Sequence, residues 1–157
     1  MTLQLYLHFP FCKSKCLYCD FCSAPGSRAE MERYTAALCR EIVQAGAEVS
    51  TVYLGGGTPS ILLPDLMASV LESLRGAFSF QPSVEFSSEA NPGTLTPEWL
   101  ECVRRYGVNR LSIGVQAVQD ELLRSLGRVH TFLQAEEAFQ LAREAGFSRL
   151  SADLMFA

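Results

Sequence analysis

The sequence predicts an α/β fold built on a parallel sheet, because two kinds of segment alternate along the chain. Short runs rich in branched and aromatic residues alternate with segments whose apolar residues recur at helical spacing. Strand–helix alternation at this pitch is typical of parallel sheets with right-handed crossovers. The periodicity alone does not say whether the sheet closes into a barrel or stays open.

Five strands and the intervening helices are predicted in order. The strands are residues 3–9, 51–54, 84–88, 110–115 and 149–154. A first helix over 30–45 should stop at Gly46, and a second contains the apolar stripe of residues 66–74. A third begins with Thr96 as N-cap and Pro97 at the first helical position, and ends at Gly107. The last helical region, 119–145, is broken near 127–130 and stops at Gly146. Segments 107–113 and 146–152 share Gly, Arg, Leu and Ser at matching places, as repeated units would.

Composition favours an ordinary globular domain and excludes several function classes. Hydrophobic residues make up 48% and charged residues 19%, and 13 Lys and Arg against 17 Asp and Glu give a net charge of −4. Without a basic block the chain is a poor candidate for nucleic-acid binding. No stretch approaches the roughly 20 apolar residues that span a bilayer, and residues 1–9 lack a secretory leader, so a cytoplasmic location is expected. Because no helix follows the fifth strand, residues 1–157 are expected to be the N-terminal portion of a longer protein.

Four of the six cysteines lie in the loop after the first strand: Cys12, Cys16, Cys19 and Cys22. In a reducing compartment such clustering indicates metal binding or redox chemistry. Three thiolates spaced CxxxCxxC can hold three corners of an iron–sulfur cube and leave the fourth iron open. Lys13 and Lys15 would offset the negative charge. Cys39 and Cys102 fall in helical patterns and are predicted to be small buried hydrophobes.

Two alternatives remain for this loop. With Cys22 included, four thiolates could form a structural zinc site. The spacing on one short loop differs from the two separated CxxC pairs of most such sites, so the cluster is favoured. Four unliganded thiols are the least favoured interpretation.

Polar residues also follow or end the other predicted strands. The glycine triplet of GGGTP at 55–59 directly follows a strand, and Glu89, Gln116 and Asp153 lie at the ends of later ones. Arg128 lies in the break between helical segments. Ligands of parallel α/β folds bind at the carboxyl ends of strands, so these residues predict a shared pocket.

Taken together, these motifs resemble the radical S-adenosylmethionine (SAM) superfamily, and within it the oxygen-independent coproporphyrinogen III oxidases and the HemW-type haem chaperones. The resemblance covers essentially the whole chain. It rests on YLHFPFC at 6–12, the CxxxCxxC loop, GGGTPS at 55–60, EANPGT at 89–94, NRLSIGVQ at 109–116, LGRVH at 126–130 and DLM at 153–155.

The resemblance implies a parallel (β/α) partial barrel, truncated here after about the fifth strand, and two cofactors. A [4Fe-4S] cluster would be bound by Cys12, Cys16 and Cys19, and its open iron would be chelated by SAM, which one electron then cleaves. The methionine end of SAM would meet Gly56, Gly57 and Thr58. Further positions that match the lining of the SAM cavity are Tyr6, Tyr18, Glu89, Gln116, Arg128 and Asp153.

Details of the cysteine loop favour the chaperone branch over the oxidase. The oxidases carry a further cysteine where this chain has Phe21, and a longer segment before the position of Tyr6. Cys22 replaces the asparagine usual in the chaperone branch, so its role stays open. The implied partners are haem or a porphyrinogen, a haem-accepting protein and an electron donor, with haem contacts supplied by regions beyond residue 157. His8 is predicted to support the cysteine loop, and His130 to belong to the turn at 127–130.

Overall fold

A computed structural model describes residues 2–42 and 47–156. Its elements are β1 (Thr2–Phe9), α1 (Arg28–Ile42), β2 (Glu48–Gly56), α2 (Pro64–Ala77), β3 (Ser79–Ala90), α3 (Pro97–Arg105), β4 (Arg110–Gln116), α4 (Asp120–Ser125), α5 (Phe132–Glu144) and β5 (Arg149–Leu154). Two short 3₁₀ helices, Pro59–Ile61 and Pro92–Thr94, follow β2 and β3. None of the helices described is long and apolar enough to cross a membrane.

The five strands form one sheet in the order β1-β2-β3-β4-β5, and every neighbouring pair is parallel. The predicted parallel α/β fold is therefore confirmed. Because each strand is added beside the preceding one, right-handed crossovers bring the helices to the same face of the sheet. β1 and β5 are the edges of this sheet, so the barrel is partial and open.

The two faces of the sheet differ in polarity because successive residues of a strand point to opposite sides. Leu54, Phe86 and Leu111 face the helices and are fully buried in a single hydrophobic core. Neighbouring positions such as Tyr53 and Glu89 point to the opposite side, which we call the inner face. Polar side chains of different strands are thereby gathered on one surface.

α1 begins at Arg28, two residues earlier than predicted, because Ser27 and Glu30 form a capping box. The Glu30 N–H donates to Ser27 Oγ at 3.3 Å, and the Ser27 N–H donates to the Glu30 carboxylate at 2.8 Å. The predicted end of this helix, at Gly46, lies outside the described residues.

The predicted N-cap of α3 and the two repeated segments are confirmed. Thr96 Oγ1 accepts the N–H of Trp99 at 3.2 Å. Gly107 and Gly146 follow α3 and α5 with φ of 97° and 88°, in the left-handed region that favours glycine. An arginine of an earlier helix donates to the carbonyl just before each glycine: Arg75 of α2 before Gly107 and Arg104 of α3 before Gly146.

β2 and β3 are longer than predicted. Gly55 and Gly56 belong to β2 and pair with the last two residues of β1. The added part of β3 contains Pro82. It lies between Phe80 and Glu85, which pair with β2 on either side of a register shift. Pro82 has no backbone N–H to donate, and proline is tolerated at such an irregularity of the strand pairing.

Cys39 and Cys102 are half-buried and pack against the core, so they are less buried than predicted. Cys39 Sγ lies 3.5 Å from the Ser69 carbonyl oxygen, and Cys102 Sγ lies 3.4 Å from that of Pro64. Both thiols are thus held between neighbouring helices, away from the cysteine loop.

Candidate functional site

Two adjoining cavities open at the carboxyl ends of the strands. The larger, about 340 Å³, is lined by the three predicted ligand cysteines and by Tyr18, Gly57, Thr58 and Gln116, among others. The smaller, about 130 Å³, is lined by Gly56, Gly57, Thr58, Glu89, Gln116 and Asp153, among others. Because the two linings share residues, the cavities form one continuous depression. Of the predicted site residues, Tyr6 and Arg128 lie outside both linings.

The cysteine loop is closed at its base by backbone hydrogen bonds. The Cys12 N–H donates to the Ala24 carbonyl at 3.1 Å, and the Ala24 N–H donates to the Pro10 carbonyl at 3.0 Å. Inside the loop the Cys19 N–H donates to the Cys16 carbonyl at 3.1 Å, which forms a tight turn. Lys15 Nζ donates to backbone carbonyls later in the same loop. The sequence from Cys12 to Cys19 is therefore folded back on itself beside the larger cavity.

His8 supports this loop, as predicted. Its Nε2 lies 2.9 Å from the carbonyl oxygen of Cys22, which can only accept, so Nε2 carries the proton. Nδ1 then accepts the hydroxyl of Tyr6 at 3.2 Å. Partial burial, followed by the negative charge of Glu89, raises the pKa of Tyr6. The side chain of Cys22 itself is exposed, and Cys22 belongs to neither cavity lining.

The glycine triplet holds the start of the cysteine loop from the side. The Gly57 N–H donates to the Phe9 carbonyl and the Thr58 N–H to the Phe11 carbonyl, each at 2.8 Å. Thr58 Oγ1 donates to Cys12 Sγ at 3.6 Å. A Cβ on Gly57 would lie 2.6 Å from the Phe11 carbonyl oxygen and 3.0 Å from Cys12 Sγ, so only glycine allows this approach.

Glu89 is the most buried carboxylate of the smaller cavity. Tyr53 Oη donates to its carboxylate at 3.0 Å and the Gly56 N–H at 3.2 Å. Burial raises the pKa of Glu89, against the lowering effect of these two donors, and the nearby charge of Asp153 adds to the rise. Burial, followed by the charge of Glu89, likewise raises the pKa of Tyr53.

Replacing Glu89 with glutamine is expected to change how stability depends on pH. The folded-state pKa of Glu89 is above its unfolded value of about 4.3, so its contribution to stability is fully present below that value and is lost as pH rises through the folded-state pKa. The free energy of unfolding of wild type relative to Glu89→Gln should therefore fall with rising pH, by about 1.4 kcal/mol for each unit of pKa difference. Urea titrations from about pH 4 to about pH 7 measure it. A relative stability that grows with pH contradicts the prediction.

Gln116 and Asp153 complete the inner wall. Gln116 ends β4 with a φ of 73°, a conformation that costs a non-glycine residue about 1–3 kcal/mol and is common at functional sites. Asp153 Oδ1 accepts the hydroxyl of Ser112 at 2.8 Å, which fixes its carboxylate on the inner face.

Arg128 contacts the cysteine loop rather than the cavity. Its Nη2 donates to the Gly114 carbonyl at 2.6 Å, and its Nη1 lies 3.5 Å from both Cys16 Sγ and Tyr18 Oη. Burial raises the pKa of Tyr18, an effect that the positive charge of Arg128 opposes.

Sequence reasoning missed several residues of the site. Phe21 and Asn91 line both cavities, and Ser112 lines the smaller one. Tyr53 orients Glu89. The signal for Tyr53 was available, because the period of two places it on the same face of β2 as Gly55.

The donor set has the chemistry of iron–sulfur cluster ligands, with three thiols of one loop beside one cavity. Within residues 2–42 and 47–156, no three His, Cys, Asp or Glu side chains come together in a way that could hold one ion. In a four-iron cube each thiolate binds a different iron, so thiolates around a cavity suit it without sharing one centre. Because residue 57 is glycine, no side chain occupies the space beside Cys12 Sγ, where an added Cβ would lie at 3.0 Å.

Comparisons with known proteins agree with this geometry. "Heme chaperone HemW" of Escherichia coli (strain K12) is 38% identical over 159 residues, covering 98% of this chain and 42% of that protein. "Oxygen-independent coproporphyrinogen III oxidase" of Bradyrhizobium diazoefficiens is 34% identical over 162 residues, covering 99% of this chain and 36% of that protein. The solved coproporphyrinogen III oxidase (HemN) of Escherichia coli aligns with a TM-score of 0.90 at 32% identity, covering 99% of this chain and 37% of that one.

This chain spans roughly two fifths of the length of these relatives. The high TM-score confirms the partial-barrel fold implied by the sequence. The family model of the radical SAM superfamily matches residues 6–157. The cofactors of this superfamily are a [4Fe-4S] cluster and SAM. The chain therefore belongs to the radical SAM superfamily.

Proposed function

We propose that this chain forms the cluster- and SAM-binding part of a HemW-type haem chaperone. The observation that carries the proposal is the continuity of the two cavities through Gly57, Thr58 and Gln116. A cosubstrate bound along these residues could reach from the cysteine loop to the carboxylates of the inner face.

The residues present suggest how each cofactor would be held. Cys12, Cys16 and Cys19 would bind three irons of the cluster, and the fourth iron would bind SAM. When bound, this pair of cofactors supplies one-electron reductive cleavage of SAM. Backbone groups of the glycine triplet would meet the methionine end of SAM, since no side chain there keeps a ligand away.

The polar residues of the inner face would orient SAM. The carboxylates of Glu89 and Asp153 can accept hydrogen bonds from an ammonium group or from ribose hydroxyls, and Tyr53 and Ser112 hold these carboxylates in place. Gln116 and Tyr18 would close the cavity on the side of the cysteine loop. Tyr6 and Arg128 lie outside both linings, and we propose that they take part in the SAM site from its margin, next to His8 and the cysteine loop.

Phe21 favours the chaperone over the oxidase. It takes the position where the oxidases have a further cysteine, lines both cavities and leaves 64% of its surface exposed. An exposed aromatic side chain at the mouth of the depression could contact a flat apolar ligand such as haem. The second candidate is oxidative decarboxylation of coproporphyrinogen III, favoured by the alignment with the oxidase at a TM-score of 0.90.

The full-length protein that contains this chain provides the test. After anaerobic reconstitution with iron and sulfide it should become brown, with broad visible absorption, and added SAM should change the electron paramagnetic resonance spectrum of the reduced cluster. The protein should then bind haem in a spectroscopic titration and leave coproporphyrinogen III unchanged. Turnover of coproporphyrinogen without haem binding assigns the oxidase function instead. A colourless protein that holds stoichiometric zinc contradicts both.

A further inference from the structure

The two repeated segments of the sequence are neighbours in the sheet. The pairing of β4 with β5 brings Arg110 beside Arg149 and Ser112 beside Ser151. Because successive residues of a strand point to opposite sides, these four side chains share the inner face with Asp153, which lies further along β5. Ser112 and Asp153 both line the smaller cavity. The repeat therefore places a matched set of polar side chains directly beside the proposed SAM site.

The two arginines have different partners despite their matching positions. Like charges at paired positions destabilise a sheet, so each guanidinium needs a partner of its own. Arg149 forms an ion pair with Glu85 of β3. Arg110 is half-buried, and its Nη1 donates to Ser87 Oγ at 3.4 Å and its Nη2 to Ser151 Oγ at 3.1 Å. Of the two arginines, Arg110 is thus the one that reaches the serine pair.

The hydrogen bonds of the serine pair run in one direction, because the groups at the two ends fix it. Arginine can only donate, so Ser151 Oγ accepts from Arg110 and keeps its own proton for another partner. At the other end Ser112 spends its single proton on Asp153 Oδ1, at 2.8 Å. The two serine hydroxyls are 3.0 Å apart, so Ser151 must be the donor between them. The chain therefore runs from Arg110 through Ser151 and Ser112 to Asp153, and such chains polarise their members.

We propose that Arg110 and Ser151 are positioning residues for SAM, which act through Ser112 on the carboxylate of Asp153. This inference rests on the proposed function, since it takes Asp153 as a contact of SAM. The Asp153 side chain is exposed, and without this chain of hydrogen bonds its carboxylate would be free to rotate. With Oδ1 held by Ser112, Oδ2 is presented to a ligand hydroxyl in a fixed orientation. Ordering the carboxylate in advance lowers the entropy cost of binding.

Anaerobic calorimetric titration of the reconstituted full-length protein with SAM, the cluster being kept oxidised, tests this role. Ser151→Ala should weaken SAM binding by about three- to tenfold, the range expected for one hydrogen bond, at unchanged iron content. Arg110→Met, which has no donor, should weaken it to a similar extent. Ser151→Thr keeps the hydroxyl and should bind SAM as wild type does. If Arg110→Met fails to fold, the comparison of Ser151→Ala with Ser151→Thr decides.

Ser50→Ala is the matched control. Ser50 is half-buried in β2, and its hydroxyl donates to the Leu3 carbonyl at 3.3 Å, away from this chain of hydrogen bonds. Its removal should leave the affinity for SAM at the wild-type value. An equal loss of affinity in Ser50→Ala and Ser151→Ala would mean that any serine of the sheet has this effect, and the inference is then wrong.

A double-mutant cycle separates positioning from a general effect on stability. In an Asp153→Ala background, Ser151→Ala should cause no further loss of SAM affinity, because the chain has lost its end. If the two losses multiply instead, Ser151 does not act through Asp153 and the inference is overturned. Wild-type affinity in Asp153→Ala overturns it as well. Failure of wild type itself to bind SAM contradicts the proposed function, which separates the two cases.

Discussion

Replacing Cys16 with alanine is expected to abolish cluster assembly in the full-length protein. Cys16 closes the tight turn with Cys19, lines the larger cavity and contacts Arg128 through its thiol, so its loss removes one of the three proposed cluster ligands. A four-iron cluster bound by only two thiolates would be held less firmly, and its open iron would no longer be fixed relative to the loop. Iron and sulfide content after anaerobic reconstitution should fall to the background level, and the broad visible absorption should disappear.

Cys22→Ser is the matched control within the same loop. Cys22 is exposed, and its contact with His8 uses the backbone carbonyl, which serine keeps. Iron content and visible absorption should stay at the wild-type level. If Cys22→Ser loses the metal as completely as Cys16→Ala does, four thiolates share the site and the three-cysteine assignment is refuted.

Gly57→Ala should have the next largest effect. The added methyl group would lie 2.6 Å and 2.9 Å from the carbonyl oxygens of Phe11 and Phe9, which are backbone atoms that cannot rotate away. Relief requires β2 to separate from the start of the cysteine loop and to break the hydrogen bonds of Gly57 and Thr58. Overpacking of this kind costs about 1–3 kcal/mol, and because Cys12 moves with the loop, reconstituted iron should fall well below half of the wild-type content.

Gly76→Ala gives the reference for this change. Gly76 lies on the exposed side of α2, and an added Cβ would meet nothing within 4 Å. Alanine is a better helix former, so this variant should gain up to about 1 kcal/mol in the free energy of unfolding and keep its iron. Urea unfolding and iron analysis measure both variants. Equal iron content in Gly57→Ala and Gly76→Ala would show that the close approach at Gly57 has no role in the site.

Much of the fold could be predicted because its signals are local. Thr96 followed by Pro97 marks the start of α3, and Gly107 and Gly146 mark the ends of α3 and α5 in both repeated segments. These features depend on a few neighbouring residues. The early part of β3 was missed because Pro82 argues against a strand, and only the register shift against β2 makes it acceptable.

The candidate site was predictable in outline for a topological reason. The carboxyl ends of parallel strands meet at one edge, so Glu89, Gln116 and Asp153 could be placed together without knowledge of side-chain positions. The orientations of the Arg128 and Tyr6 side chains could not be predicted in this way. Arg128 turns towards Cys16 because Gly114 offers its carbonyl, a contact that depends on packing of the 126–130 turn against β4. Tyr6 turns to His8 on the same strand, a side-chain orientation that the period of two does not specify.

The contact between Arg128 and Cys16 has a consequence for biogenesis. Arg128 lies 112 residues after Cys16, so the three thiols proposed as ligands leave the ribosome well before the turn that contacts one of them has been synthesised. At ordinary rates of translation this interval is on the order of ten seconds. A nascent chain would thus carry the three thiols before their surroundings are complete, and we expect metal loading to follow synthesis of the β4–α5 unit rather than accompany that of the loop.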